Sequence, residues 1–344
     1  MRDQDDGRWS IGELAERADT TVKTVRFYCD RGLLPERERS GGGHRRFGPE
    51  ALERLRLVRT LRGLGLALPR IHEVLEAGAG AEDRDPDAAD SALADSGSAF
   101  ADSGSAFADS GSAFADAVAG RLATLGGQLR ALHWQEAALR LVQESPPVER
   151  AATLRLVGSL GSPPSTDALA RFWRGWLPAR MPAKASAAFL DAAVPQIPDA
   201  PRPGQVLAFA RLHAMVSRPC SPARPTQPAA HQEAGPHTVA GLYAGLAEAY
   251  DLAGVHLRAG RAPRAGEALD GFVDTYARVH QRRDTVAFRR ALAGQLGSDP
   301  RLDGYWELVT ELITPHGAAP EPTPGSAHDW LLAALREDVA RRAA

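Results

Sequence analysis

The chain is poor in the residues that soft-metal and redox chemistry require. Its 344 residues include two cysteines, Cys29 and Cys220. They are too far apart in sequence for a CxxC pair or a disulfide framework, and a reducing compartment is predicted. A thiolate metal centre lacks its ligand set. His231 and His237 flank Glu233, but in a Pro-rich stretch where a metal site is not expected, so no metal and no cofactor is predicted. No run of about 18 apolar residues occurs, which argues against a spanning helix and a membrane partner. The opening Met1-Arg2-Asp3-Gln4-Asp5-Asp6 is not a signal peptide, and the expectation is a cytoplasmic protein. No G-x-S-x-G, P-loop or paired-carboxylate motif stands out, so an enzyme has nothing to rest on.

What is present is unevenly distributed. The net charge is -2, but residues 8–76 carry 14 Lys/Arg against 10 Asp/Glu, and residues 80–120 carry one Arg against nine Asp/Glu. A basic head followed by an acidic segment points to a polyanion met by the head alone. The head reads as short helices and tight turns. Ser10 and Glu13 form a capping box ahead of Ile11, Leu14, Ala15 and Ala18. Asp19-Thr20 makes the turn, and Thr21 caps a second helix through Val25, Phe27 and Tyr28. Two helices joined this way form a helix-turn-helix. Gly41-Gly42-Gly43 followed by His44-Arg45-Arg46-Phe47 reads as the tip and basic strand of a wing. Pro49 and Pro69 open two further helices. Gly12, Gly32 and Gly65 read as backbone glycines, and Phe27, Phe47 and Leu64 as core.

The ordered segments Ile11-Gly12-Glu13-Leu14-Ala15, Thr24-Val25-Arg26-Phe27-Tyr28, Gly32-Leu33-Leu34-Pro35, Arg45-Arg46-Phe47 and Leu64–Ile71 resemble the MerR family of transcriptional regulators. Asp19 stands where that family usually has a turn glycine, and Cys29 where it usually has an acidic residue. The resemblance implies a homodimer on double-stranded promoter DNA, distorting it so that RNA polymerase can use the promoter. The predicted DNA-binding residues are Thr21, Lys23, Thr24 and Arg26 facing the major groove. The resemblance further implies that Arg26 and Tyr28 hold phosphate or base edges and that Arg45 and Arg46 on the wing reach the flanking backbone. Cobalamin-sensing relatives need a D-x-H-x-x-G segment. Gly254–Arg258 lacks the aspartate, which excludes that ligand.

Beyond the head, three identical units of seven residues from Ala94 to Phe114 hold one large apolar residue each and a glycine. One seam residue per unit is too few for a coiled coil, which predicts a flexible acidic linker. From Ala115 two seams develop, and Val118, Leu122, Leu125, Leu129, Leu132 and Leu139 predict a dimerisation helix. The remainder carries helical apolar stripes and no strand alternation. The fold class is therefore mainly α: a winged helix-turn-helix head over 9–78, an acidic linker over 79–114, a dimerisation helix over 115–144 and an all-helical domain over 148–344. That last domain is expected to bind a small hydrophobic effector through aromatics, with Trp173, Trp176, Tyr243, Tyr250, Tyr276 and Trp306 as candidates. Two alternatives stay open for it: a protein-partner surface, or a purely structural part of the dimer.

Overall fold

A computed structural model describes residues 9–35, 38–39, 43–79, 111–162, 164–178, 181–217, 227–232, 236–297 and 299–343. Contacts divide the chain into two compact units, one reaching Gly127 and one starting at Gln128.

The first unit holds α1 (Ile11–Arg17), α2 (Val22–Cys29), strands β1 (Glu38–Arg39) and β2 (Arg45–Arg46), α3 (Pro49–Gly63) and α4 (Leu68–Ala79). The capping box forms as expected: Ser10 Oγ accepts from the Glu13 amide, and the Glu13 carboxylate accepts from the Ser10 amide at 2.7 Å. That backbone hydrogen bond holds the Glu13 carboxyl below its usual range. Asp19 takes the turn at φ 48°, the left-handed region that aspartate tolerates. β1 and β2 pair antiparallel, Arg39 facing Arg45. Trp9 extends this edge by exchanging two backbone hydrogen bonds with Phe47. The core gathers Leu14, Val25, Leu33, Phe47, Leu55, Val58 and Ile71.

Three of the expectations for this unit change. Leu64 is 61% exposed. It caps α3 just before Gly65 turns the chain at φ 84°, so its side chain leaves the core face. Phe27 is 42% exposed and lies under the Arg31 guanidinium. Gly12 has ordinary backbone angles and open space beside it, so no close approach requires a glycine there.

The long helix α5 runs Gly111–Glu144 and carries the unit boundary within it. It starts inside the third seven-residue unit, before the expected Ala115. Phe114 packs against the core of the first unit and so anchors that turn. The rest of the repeat segment lies outside the described residues.

The second unit contains the C-terminal half of α5 and α6 (Arg150–Gly158), α7 (Asp167–Trp176), α8 (Ala183–Ala193), α9 (Pro203–Ser217), α10 (Ala229–Gln232), α11 (Pro236–Arg258), α12 (Glu267–Val279), α13 (Val286–Gln295), α14 (Pro300–Ile313) and α15 (Pro324–Ala343). The apolar stripes mark α7, α8, α9, α11, α12, α14 and α15. They do not mark α6 or α13, where few apolar residues repeat. One core joins α11, α12, α13 and α15 around Phe272 and Tyr276, and another joins α5, α7, α9 and α14 around Trp173, Phe209 and Tyr305. Gly245 allows α11 to press on α12, since a Cβ there would stand 2.4 Å from Thr275 Oγ1. Among the described residues no helix is long and apolar enough to cross a membrane.

Candidate nucleic-acid interface and helical-domain cavity

The DNA-facing candidates converge on α2 and the wing. Val22, Lys23, Arg26, Phe27 and Asp30 all lie exposed, at the i, i+4 spacing of one helix face. Thr21 caps the helix, its Oγ1 accepting from the Thr24 amide and lying 2.9 Å from the Thr24 hydroxyl. Both hydroxyls are thus held in place at the helix start. Arg45 projects from β2 and donates to Asp30 Oδ1 at 3.0 Å, tying the wing to the end of α2. Tyr28 differs from expectation: it is 8% exposed and belongs to the core. The period of the helix turns position 28 inward beside Val25, and the exposed aromatic is its neighbour Phe27.

Arginines fasten the platform behind these elements. Arg54 Nε donates to the Leu33 carbonyl at 2.9 Å, Arg59 donates to the Ala18 carbonyl, and Arg62 donates to the Leu66 carbonyl at 2.7 Å. Part of the head's positive charge is therefore structural.

The predicted seam of α5 is largely unpacked. Leu122, Leu129, Leu132 and Leu139 are all more than half exposed, while Val118 and Leu125 are half-buried. The chain uses another face of the helix for its own core, burying Trp134, Ala137 and Leu141. At roughly 100° per residue the two sets point about 150° apart. Trp134 is fixed there by donating its Nε1 to the Pro198 carbonyl at 3.0 Å.

Within the second unit, α7, α8, α10, α11, α14 and α15 line a partly open cavity of about 280 Å³. Five of the six aromatic candidates line it: Trp173, Trp176, Tyr243, Tyr250 and Trp306. The sixth, Tyr276, is fully buried behind the wall, and its hydroxyl meets His231 Nε2 at 2.7 Å. α12 turns Tyr276 into the core with Phe272, one layer away from the cavity. The lining rings are locked edge to face: Trp173 meets Trp176 at 5.3 Å and Phe189 at 5.4 Å, and Phe189 meets Tyr243 at 5.4 Å. The Trp306 indole lies directly against Gly325, where a Cβ would stand 2.2 Å from the ring.

Several wall residues were not legible in the sequence. His231, set aside as part of a linker, is the buried start of the wall on α10 and is 7% exposed. Burial, with His328 and His280 nearby, pushes its pKa down to about 3. His328 is also lowered, mainly by burial. The Leu296 carbonyl takes its N–H, which leaves Nδ1 to accept from the Tyr250 hydroxyl at 3.1 Å. Asp303 and Asp329 complete the rim on α14 and α15. Desolvation and the Asp303 charge, opposed by Arg336, raise the Asp329 carboxyl above its usual range. A short helix among prolines and two acidic residues on amphipathic helices carry no signal that distinguishes them from loop and surface.

Two helices joined by a left-handed turn, with a basic two-stranded wing and two supporting helices, define a winged helix-turn-helix, a class that reads double-stranded DNA with its second helix. Residues 9–78 match the MerR HTH family of regulatory proteins, and this part of the chain belongs to that family. Nodulation protein NolA of Bradyrhizobium elkanii is 45% identical over 69 residues, 20% of this chain and 32% of its own length. The mercuric resistance operon regulatory protein of Bacillus cereus is 35% identical over 78 residues, 23% of this chain and 56% of its own. The transcriptional activator TipA of Streptomyces coelicolor is 40% identical over 68 residues, 20% of this chain and 27% of its own. The chain thus spans between about a quarter and just over half the length of these relatives, and the similarity falls on the head.

Proposed function

We propose that the protein is a homodimeric transcriptional regulator that binds promoter DNA through its MerR-type head and is controlled by a small molecule held in the helical domain. The regulatory proteins and the activator that share the head support the DNA-binding part. The aromatic cavity carries the effector part: an apolar pocket with a few polar groups is the usual form of a small-molecule site. The unpacked leucine seam of α5 supports pairing of two chains, which a two-fold symmetric operator requires.

The dimer works by bending and untwisting DNA between promoter elements. Such distortion costs on the order of a few kcal/mol, offset by backbone contacts from the wing. An effector moves this balance only by binding the distorting conformation better than the resting one.

A footprint and a salt titration on the promoter of the protein's own gene test the DNA-binding part. Affinity is expected to fall steeply with salt, since each neutralised phosphate releases counterions. A thermal-shift screen against small hydrophobic compounds tests the effector part. An affinity indifferent to salt overturns the first, and a screen in which no compound raises the melting temperature overturns the second.

A further inference from the structure

The cavity wall has a definite electrical character. Among the described residues no Lys or Arg lines it, whereas Asp251, Asp299, Asp303 and Asp329 do. Asp299 is committed elsewhere: it caps α14 and pairs with Arg301 at 2.6 Å. Among the described residues Asp251, Asp303 and Asp329 have no ion-pair partner, and Arg336 on α15 acts on Asp329 only from a distance. The two basic side chains of the wall, His231 and His328, are held neutral by burial, so neither opposes a positive charge near pH 7.

Among the described residues three polar atoms in this wall have no hydrogen-bond partner: the indole Nε1 of Trp173, the indole Nε1 of Trp176 and Nδ1 of His231. His231 is 93% buried, one ring nitrogen is taken by Tyr276, and Nδ1 is unsatisfied. A buried unsatisfied nitrogen is costly, and a ligand group that completes the hydrogen bond recovers that cost.

We propose that the cavity takes a hydrophobic organic cation: an ammonium group carried on one or two rings, its charge at Asp303 and Asp329 and its body among Trp173, Trp176 and Trp306. The inference rests on reading the cavity as the effector site. Aromatic faces are the negative side of the ring quadrupole and attract a cation as well as an apolar body. Asp329 is exposed and Asp303 half-exposed, so the charge stays near the mouth while the rings desolvate. A volume of about 280 Å³ lies just below the roughly 300–1,000 Å³ typical of small-molecule sites. That limits the ligand to one or two rings. An anion meets three carboxylates and, among the described residues, no cation.

The test uses the full chain and three probes of one shape: 3-phenylpropyl-trimethylammonium, its uncharged carbon isostere, and 4-phenylbutyrate. Binding is read by calorimetry and by quenching of the cavity tryptophans. The cation is expected to bind at least ten-fold tighter than the isostere, and the anion not measurably. Raising salt is expected to weaken the cation alone, a readout that needs no variant. Asp303→Asn with Asp329→Asn is expected to erase the advantage of the cation and leave the isostere unchanged. Equal binding of cation and isostere, or a cation affinity untouched by both salt and the double variant, overturns the charge assignment and leaves the effector site standing. No binding by any of the three overturns both.

Discussion

At the residue scale, a few side chains in the helical domain hold far more than their own contacts. Arg289 is nearly buried and donates to Asp284, Asp270 and Asp338, and Asp338 also receives Arg342. Hydrogen bonds donated to Asp284 outweigh burial and raise the Arg289 pKa. Burial opposes ionisation of Asp338, but hydrogen bonds from Arg342 and Arg289 overcome it and lower its carboxyl. Arg289→Met leaves buried Asp338 with Arg342 as its one cation, and a loss smaller than the roughly 3–5 kcal/mol of a fully unpaired buried charge is expected in chemical denaturation. A lowered carboxyl contributes stability above its unfolded value of 3.8, and that contribution fades as pH falls through the folded value. The variant is therefore expected to show a weaker acid dependence below pH 4. Gly325 is the second such position. Gly325→Ala places a Cβ inside the Trp306 ring. The ring or α15 must shift, at about 1–3 kcal/mol. A shifted tryptophan emission maximum, with the binding of cavity ligands lost, is the expected result, and an unchanged spectrum contradicts this packing.

At the element scale, α5 and the wing make separable predictions. Leu129→Asp with Leu132→Asp alters two side chains that are each more than half exposed. The folded chain is expected to survive, while sedimentation reports a monomer and operator binding disappears. A variant that stays dimeric refutes the seam. On the head, Arg45→Ala removes a wing cation and frees Asp30. Affinity is expected to fall for all DNA sequences and the salt slope to become shallower, because backbone contacts carry no sequence information. Lys23→Ala on the exposed face of α2 is expected instead to relax preference at particular base pairs, by about 1–3 kcal/mol. An Arg45→Ala protein with the wild-type salt slope removes the wing from the interface.

At the scale of the whole molecule, two units with separate cores imply that unfolding is not a single two-state step. Calorimetry is expected to resolve two transitions, with Arg289→Met and Gly325→Ala moving one and head variants the other. The same transition responds to pH through His231. Its folded pKa of about 3 lies below the unfolded value of 6.5, so the unfolded chain binds the extra proton between them. Stability of that unit falls as pH drops below 6.5, by up to about 1.4 kcal/mol per pH unit for each such histidine. His231→Phe is expected to flatten this slope, and an identical slope in the variant would clear His231 of the effect.

What the sequence determined alone is the head and the periodic helices. Capping, turn and wing signals are local: Ser10 with Glu13, Asp19 in its left-handed turn and Pro49 at a helix start act within a few residues, so they are read without the fold. The long stripes of α7, α11, α12 and α14 are equally local in period, and the aromatics on them were candidates for that reason. Local period does not say which of two apolar faces meets which neighbour. Tertiary packing placed Tyr28 inward and Phe27 outward, sent Tyr276 behind the wall while five other aromatics lined it, and brought His231 from among prolines to the cavity. It also set Asp303 and Asp329 at one rim and required Gly325 under Trp306. Each depends on residues far apart in the chain, brought together by burial of apolar surface that no sequence window contains.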